Sequence, residues 1–264
     1  MAESDDILIE AEDLGRRYSG AAAVARASFR IRRGELVALL GPNGSGKTTL
    51  LRMLSGALSP TEGRARLCGM DVAEHPLDIR RRCGYLPEET PLYSEMRVEE
   101  YLRYRGRLRG YRGTDLLVRV HGAMQQCALV DVAKRPLIGA LSHGQRRRVA
   151  LADCLLHSPD VLLLDGPLEG LDAVQSASLA GLLIDISADC AVLFTTHDPE
   201  GVKSVCTRAL VLSAGCLIAD GTPEGLTATV PGAGTFAQAF VWMASETAEA
   251  GSWSGGGGGK KGRP

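Results

Sequence analysis

Two stretches of the chain, residues 36–40 and 161–164, are apolar at every position and stop abruptly at Gly41 and Asp165. Together with residues 191–194 they lack polar alternation, which is the mark of central parallel strands covered on both faces. Residues 7–11 and 24–31 alternate instead, as strands with one solvated face do, and Arg32, Arg33, Gly34 and Glu35 form the turn before the run at 36–40. A glycine-rich segment then leads into a helix from Lys47 onward, with Leu50, Leu51 and Leu54 as its apolar positions. Gly56, suited to a left-handed C-cap, stops it.

Helical periodicity dominates the middle of the chain. A short helix at 78–82 precedes a strand-like segment at 83–86. Apolar residues then recur at helical spacing from 98 to about 109 (Val98, Tyr101, Leu102) and from 115 to 129 (Leu116, Val120, Met124, Leu129). Residues 146–156 are helical, with Val149, Leu151, Ala152 and Leu155 available for packing. A small strand at 217–221 and a last helix at 235–247 complete the pattern. From Gly251 the composition collapses to glycine and lysine, which cannot bury enough surface to fold. The expectation is one α/β domain over residues 1–250, with a helical insertion at about 88–153 and a disordered tail at 251–264.

Bulk composition narrows the choice of function only slightly. With 264 residues, 45% hydrophobic and 23% charged, the chain has a globular balance. A net charge of −1 gives no general attraction to nucleic acid or anionic lipid, so the arginine clusters at 80–82, 103–112 and 146–148 read as solvated helix faces and no nucleic acid partner is expected. Seven cysteines (68, 83, 127, 154, 190, 206, 216) contain no C-x-x-C pair and read as small buried hydrophobes. No apolar run reaches the roughly 18 residues that span a bilayer, and the acidic opening lacks a signal's basic flank, so a cytoplasmic location is expected.

The glycine-rich segment carries the chemistry. Gly41, Pro42, Asn43, Gly44, Ser45, Gly46, Lys47 and Thr48 fit G-x-x-x-x-G-K-[ST], placed as it must be between a buried strand and a helix. In such a loop backbone N–H groups turn toward phosphates, the lysine reaches the β- and γ-phosphates, and the hydroxyl of Thr48 reaches Mg²⁺.

Further along stand Leu141, Ser142, His143, Gly144 and Gln145, then the apolar run ending in Asp165, then Gly170, Leu171 and Asp172, and finally Thr195, Thr196, His197 and Asp198. In that order, with Tyr18 before the loop and Tyr85, Leu86, Pro87 and Glu88 after it, the chain resembles the ATP-binding cassette (ABC) ATPases. The resemblance implies a P-loop NTPase core, a mostly parallel sheet flanked by helices, with an antiparallel β subdomain and an inserted α-helical subdomain. It implies ATP and Mg²⁺ as ligands, residues 41–48 with Thr49 around the phosphates, and Thr48, Asp165 and Glu88 around the metal. Tyr18 takes the position whose ring stacks on adenine. Ser142, Gly144 and Gln145 belong to the signature that closes over ATP held by a second subunit, which makes a homodimer or a heterodimer the working unit. His143, in place of the commoner glycine, reads as a tolerated surface side chain. His197 matches the switch histidine beside the γ-phosphate, and Asp172 the residue linking the two sites. Glu88, where most members have glutamine, together with residues 91–102, is similar to the branch serving ABC-2 type permeases. A separate transmembrane permease, contacted from the inner face of the membrane, is the implied partner.

At one position the chain departs from the family. Where a glutamate normally follows the aspartate of the apolar run, Gly166 follows Asp165. The carboxylate that orients the attacking water is therefore missing from its usual place, and impaired hydrolysis is expected. Glu169, three residues on, is not expected to replace it, because its backbone has left the strand end by then. A regulatory module that binds ATP without hydrolysing it, and a non-transport ABC protein acting on nucleic acid, remain as alternatives.

Overall fold

The structure, a computed structural model, describes residues 6–132 and 136–252. β1 (Ile7–Tyr18) and β2 (Ala21–Arg32) form a long antiparallel hairpin, turned at Ser19 and Gly20 with both residues at positive φ. Its buried cross-strand pairs, Ile9 with Ile31 and Ala11 with Phe29, explain the alternation of 7–11 and 24–31. β3 (Leu36–Leu40) follows and is buried at every residue, and α1 (Lys47–Leu54) follows the glycine-rich loop. The end of α1 is a Schellman arrangement: Gly56, at φ 71°, donates to the Met53 carbonyl, and Ala57 donates to that of Arg52.

β4 (Glu62–Leu67) and the short β5 (Met70–Asp71) extend the hairpin as antiparallel edge strands. Next come α2 (Pro76–Arg82) and β6 (Cys83–Leu86), then the helical insertion of α3 (Val98–Leu108), α4 (Gly113–Gln126) and α5 (His143–Leu155). β7 (Val161–Leu164), α6 (Ala173–Ser187), β8 (Ala191–Thr196), α7 (Pro199–Val205), β9 (Arg208–Ser213), β10 (Cys216–Gly221), α8 (Pro223–Ala228) and α9 (Phe236–Ser252) complete the chain.

The strands form one sheet in the order β5-β4-β1-β2-β10-β9-β3-β8-β7-β6. From β9 to β6 the strands run parallel, whereas β1, β2, β4 and β5 pair antiparallel, so the α/β core carries the antiparallel β subdomain and the helical insertion implied by its sequence. Two apolar clusters cover the two faces of the sheet. One joins α1 to the hairpin, and the other joins the helical insertion and α6 to α9 to the opposite side.

Several boundaries differ from the sequence expectations. The hairpin strands run to Tyr18 and start at Ala21 because paired backbone, not apolar side chains, carries them beyond the core. α4 stops at Gln126, since Ala128 adopts φ 52°, and Leu129 reaches the core from a turn. α5 starts at His143, capped by Ser142. α9 continues to Ser252, beyond the expected start of the tail at 251, and the rest of that tail (253–264) lies outside the described residues.

The reading of every arginine cluster as solvated is corrected at Arg147, which is 8% exposed. Among the cysteines Cys216 is exposed and Cys68 half-buried, while the other five are buried as expected.

Candidate functional site

The C-terminal ends of the parallel strands open onto a cleft of about 360 Å³, where ligands of open α/β sheets characteristically bind. Asn43, Gly44, Gly46, Lys47, Thr48 and Thr49 line it from the loop after β3. Glu88 enters from beyond β6, Asp165 and Glu169 from beyond β7, and Thr195 and His197 from the end of β8. Gly41, Pro42 and Ser45 belong to the same loop without lining the cleft.

The loop is held by its own backbone. Gly46 stands at φ 105°, and a Cβ there would overlap the Ala23 carbonyl oxygen, so this turn admits only glycine. Leu50 donates to the Gly46 carbonyl, which starts α1 and directs its first N–H groups toward the cleft. Lys47 is buried, and its ammonium donates to the carbonyls of Gly41 at 2.7 Å and Pro42 at 3.0 Å. Burial pushes its pKa down, while the charges of Glu169, Asp165 and Glu88 pull it back up.

Asp165 is fixed by two contacts. Its N–H donates to the Leu86 carbonyl at 2.8 Å, and its Oδ1 accepts from Thr195 Oγ1 at 2.7 Å. The Thr195 oxygen in turn accepts the N–H of Gly166 at 2.7 Å. Asp165 Oδ2 is buried and has no hydrogen-bond partner among the described residues. A buried carboxylate oxygen of this kind, with the Thr48 hydroxyl on the same cleft, suits a hard divalent cation. Among the described residues no three or more His, Cys, Asp or Glu side chains are arranged so that together they could hold a metal ion, so the protein offers few donors. That is how Mg²⁺ is usually held when phosphates and water complete its shell.

At Gly166 the chain turns back on itself. The residue adopts φ 58°, and Glu169 donates from its N–H to the Gly166 carbonyl at 3.2 Å. This turn returns the Glu169 side chain to the cleft, contrary to the expectation that it has left. Its Oε1 lies 2.9 Å from His197 Nδ1. The Glu169 carbonyl also faces His143 Nε2 at 3.4 Å, so this residue touches both the end of β8 and the start of α5.

The remaining residues singled out in the sequence stand away from the cleft. Tyr18 ends β1, 44% exposed, with the Arg16 guanidinium 5.0 Å from its ring centroid. Ser142 and Gln145 form a capping box: Ser142 Oγ accepts the Gln145 N–H at 3.2 Å, and Gln145 Oε1 accepts that of Ser142 at 3.0 Å. Gly144 is buried under the Gln175 side chain, and Asp172 caps α6 by accepting the Gln175 N–H at 2.8 Å.

Two contributors were missed in the sequence. Thr195 is the hydroxyl that joins Asp165 to Gly166, and nothing local distinguishes it from Thr196. Arg147 donates to the Glu88 carbonyl at 2.8 Å, and burial lowers its pKa against the opposing charges of Glu169, Glu88 and Asp165. A signal for it existed: Arg147 shares a helical face with Leu151 and Cys154, both buried.

Comparison with known proteins places these features among relatives. Residues 24–169 match the family described as ABC transporter. The chain is 33% identical over 225 residues to the ABC transporter ATP-binding protein NatA of Bacillus subtilis, covering 83% of this chain and 91% of that protein. It is 36% identical over 220 residues to the Nod factor export ATP-binding protein I of Ralstonia nicotianae, covering 83% and 68% respectively. Among solved structures, an ATP-binding subunit of an ABC transporter superposes with a TM-score of 0.79 at 26% identity, over 89% of this chain and 99% of the other. A part of the ABC transporter complex cbiONQ of Clostridium perfringens superposes with a TM-score of 0.77 at 29% identity, over 84% and 91%.

Proposed function

Because this chain belongs to the ABC transporter family of ATP-binding proteins, we propose that it is the ATP-binding subunit of an ABC-2 type transporter, working on the inner face of a membrane with a separate permease. The carrying observation is the single cleft that gathers Lys47, Thr48, Glu88, Asp165 and His197 at the strand ends. The Tyr85, Leu86, Pro87, Glu88 segment supports the ABC-2 branch. No described helix is long and apolar enough to cross a membrane, which fits a division of labour with a permease.

In this reading the loop N–H groups and Lys47 take the β- and γ-phosphates of ATP, and Tyr18 takes the adenine. Thr48 and Asp165, with Glu88 nearby, hold Mg²⁺, which when bound neutralises phosphate charge. Ser142, Gly144 and Gln145 close over the nucleotide of a second cassette, with Asp172 beside the joint. The partner cassette is a second copy or an unlike subunit. Turnover is slow, because no carboxylate follows Asp165 directly.

Size-exclusion chromatography with and without Mg-ATP, together with affinity purification from membranes, tests this reading. An ATP-dependent dimer and a copurifying permease are expected. An ATP-bound monomer that copurifies with no membrane protein overturns it.

A further inference from the structure

Glu169 is the one acidic side chain of the cleft that neither the phosphate loop nor a metal position accounts for. Three observations define its placement. Its Oε1 meets His197 Nδ1 at 2.9 Å. It lines the same cleft as Lys47, Thr48 and Asp165. A Cβ built on Gly166 would lie 3.0 Å from both Glu169 Cδ and Oε2, so this carboxylate fills the space into which a side chain at 166 would project.

We propose that Glu169 is the catalytic carboxylate of this site, its side chain reaching by way of the turn at Gly166 the volume that a residue directly after Asp165 would otherwise occupy. The inference rests on the ATP-binding reading above. The two positions exclude one another. Gly166 has no side chain to compete, and its φ of 58° forms the turn that returns Glu169 to the cleft. A bulkier residue at 166 crowds Glu169 out, so the glycine and the displaced glutamate work as one unit.

The chemistry follows from the contacts. Glu169 accepts a proton from water as the water oxygen bonds to the γ-phosphorus. The bridging P–O bond breaks with its electron pair going to ADP, and the proton passes from Glu169 to the departing phosphate. His197, in contact with Oε1, keeps the carboxylate aimed into the cleft. The rate is limited by the length of the reach, since a glutamate extended from a turn is held less firmly than one seated at a strand end.

The test compares wild type, Lys47→Ala, Glu169→Gln, Glu169→Ser and the double variant Gly166→Glu with Glu169→Ser in three measurements: phosphate release, ATP affinity by calorimetry, and the Mg-ATP dimer by size exclusion. Glu169→Gln is expected to bind ATP within about threefold of wild type, to keep its ATP dimer longer, and to lose about 10²-fold of phosphate release. The double variant is expected to recover turnover lost in Glu169→Ser, because it returns a carboxylate to the same volume. Unchanged release by Glu169→Gln overturns the proposal, as does wild-type release no greater than that of Lys47→Ala. If Glu169→Gln alone loses ATP binding, the residue serves the nucleotide and not the water, which also overturns it. Loss of ATP binding in wild type as well would instead remove the nucleotide-binding reading itself.

Discussion

The Lys47 ammonium donates to the carbonyl oxygen of Gly41 at 2.7 Å, so the lysine of the phosphate loop closes back on the loop's first residue. A buried cation satisfied by carbonyls is poised to exchange those acceptors for phosphate oxygens, but its desolvation is a standing cost to the fold. Lys47→Met is therefore expected to leave thermal stability unchanged or slightly raised while weakening Mg-ATP binding by at least about 100-fold in calorimetry. Unaltered affinity in a folded variant would remove the loop from the binding site.

Thr195 supports a second prediction. Its hydroxyl donates to Asp165 Oδ1 and accepts from the Gly166 N–H, both at 2.7 Å and both buried. Thr195→Val keeps the shape and leaves a buried donor and a buried acceptor unpaired, which costs about 1–3 kcal/mol for each group. Urea unfolding is expected to show a loss of that order, and the Mg²⁺ dependence of ATP binding is expected to weaken as Asp165 loses its orientation. A midpoint equal to wild type would mean that water replaces the hydroxyl without cost.

The role of Ser142 can be divided in two. Its side chain caps α5, a contribution of about 1 kcal/mol, and in the dimer reading it also faces the partner's γ-phosphate. Ser142→Ala is expected to lose both the cap and the ATP-dependent dimer. Ser142→Asp keeps a good cap but sets a negative charge against phosphate, so it retains stability and loses the dimer. Melting temperatures and size-exclusion profiles of the two variants separate the effects, and a Ser142→Asp protein that dimerises normally would confine this residue to capping.

The parallel core was legible because burial on both faces leaves residues 36–40, 161–164 and 191–194 without polar positions. The glycine-rich loop between β3 and α1 was legible in its place for a related reason, since the strand–loop–helix order is a local pattern. β4 was not legible: Glu62, Gly63, Arg64 and Arg66 give it little apolar pattern, and it exists because β1 offers a paired edge. α6 shows little contrast between its faces, with Leu179, Ala180 and Leu183 buried amid small and apolar neighbours. Glu169 was misplaced for a backbone reason. Counting residues from the strand end assumes continued extension, whereas Gly166 at positive φ reverses the chain within three residues.

His157 gives a prediction about pH. The ring is buried, its Nε2 meets the Cys83 carbonyl at 3.2 Å, and its Nδ1 has no partner among the described residues. Burial, reinforced by the positive charge of Arg109, pushes its pKa down from 6.5 to about 4. The folded ring stays neutral while the unfolded ring takes up a proton, so stability is fully present above pH 6.5 and declines by about 1.4 kcal/mol per unit as the pH falls toward 4. Asp160 does not interfere in this window. Although burial opposes its ionisation, hydrogen bonds from Arg82 and Arg33 hold its pKa below 3.8, and the stability it adds is lost only as the pH falls further. His157→Gln retains an N–H donor for Cys83 and does not titrate. Urea midpoints at pH 7 and pH 5 are expected to show a decline about 2 kcal/mol smaller in the variant than in wild type. Parallel declines in the two proteins would show that the folded ring accepts the proton and is not held neutral.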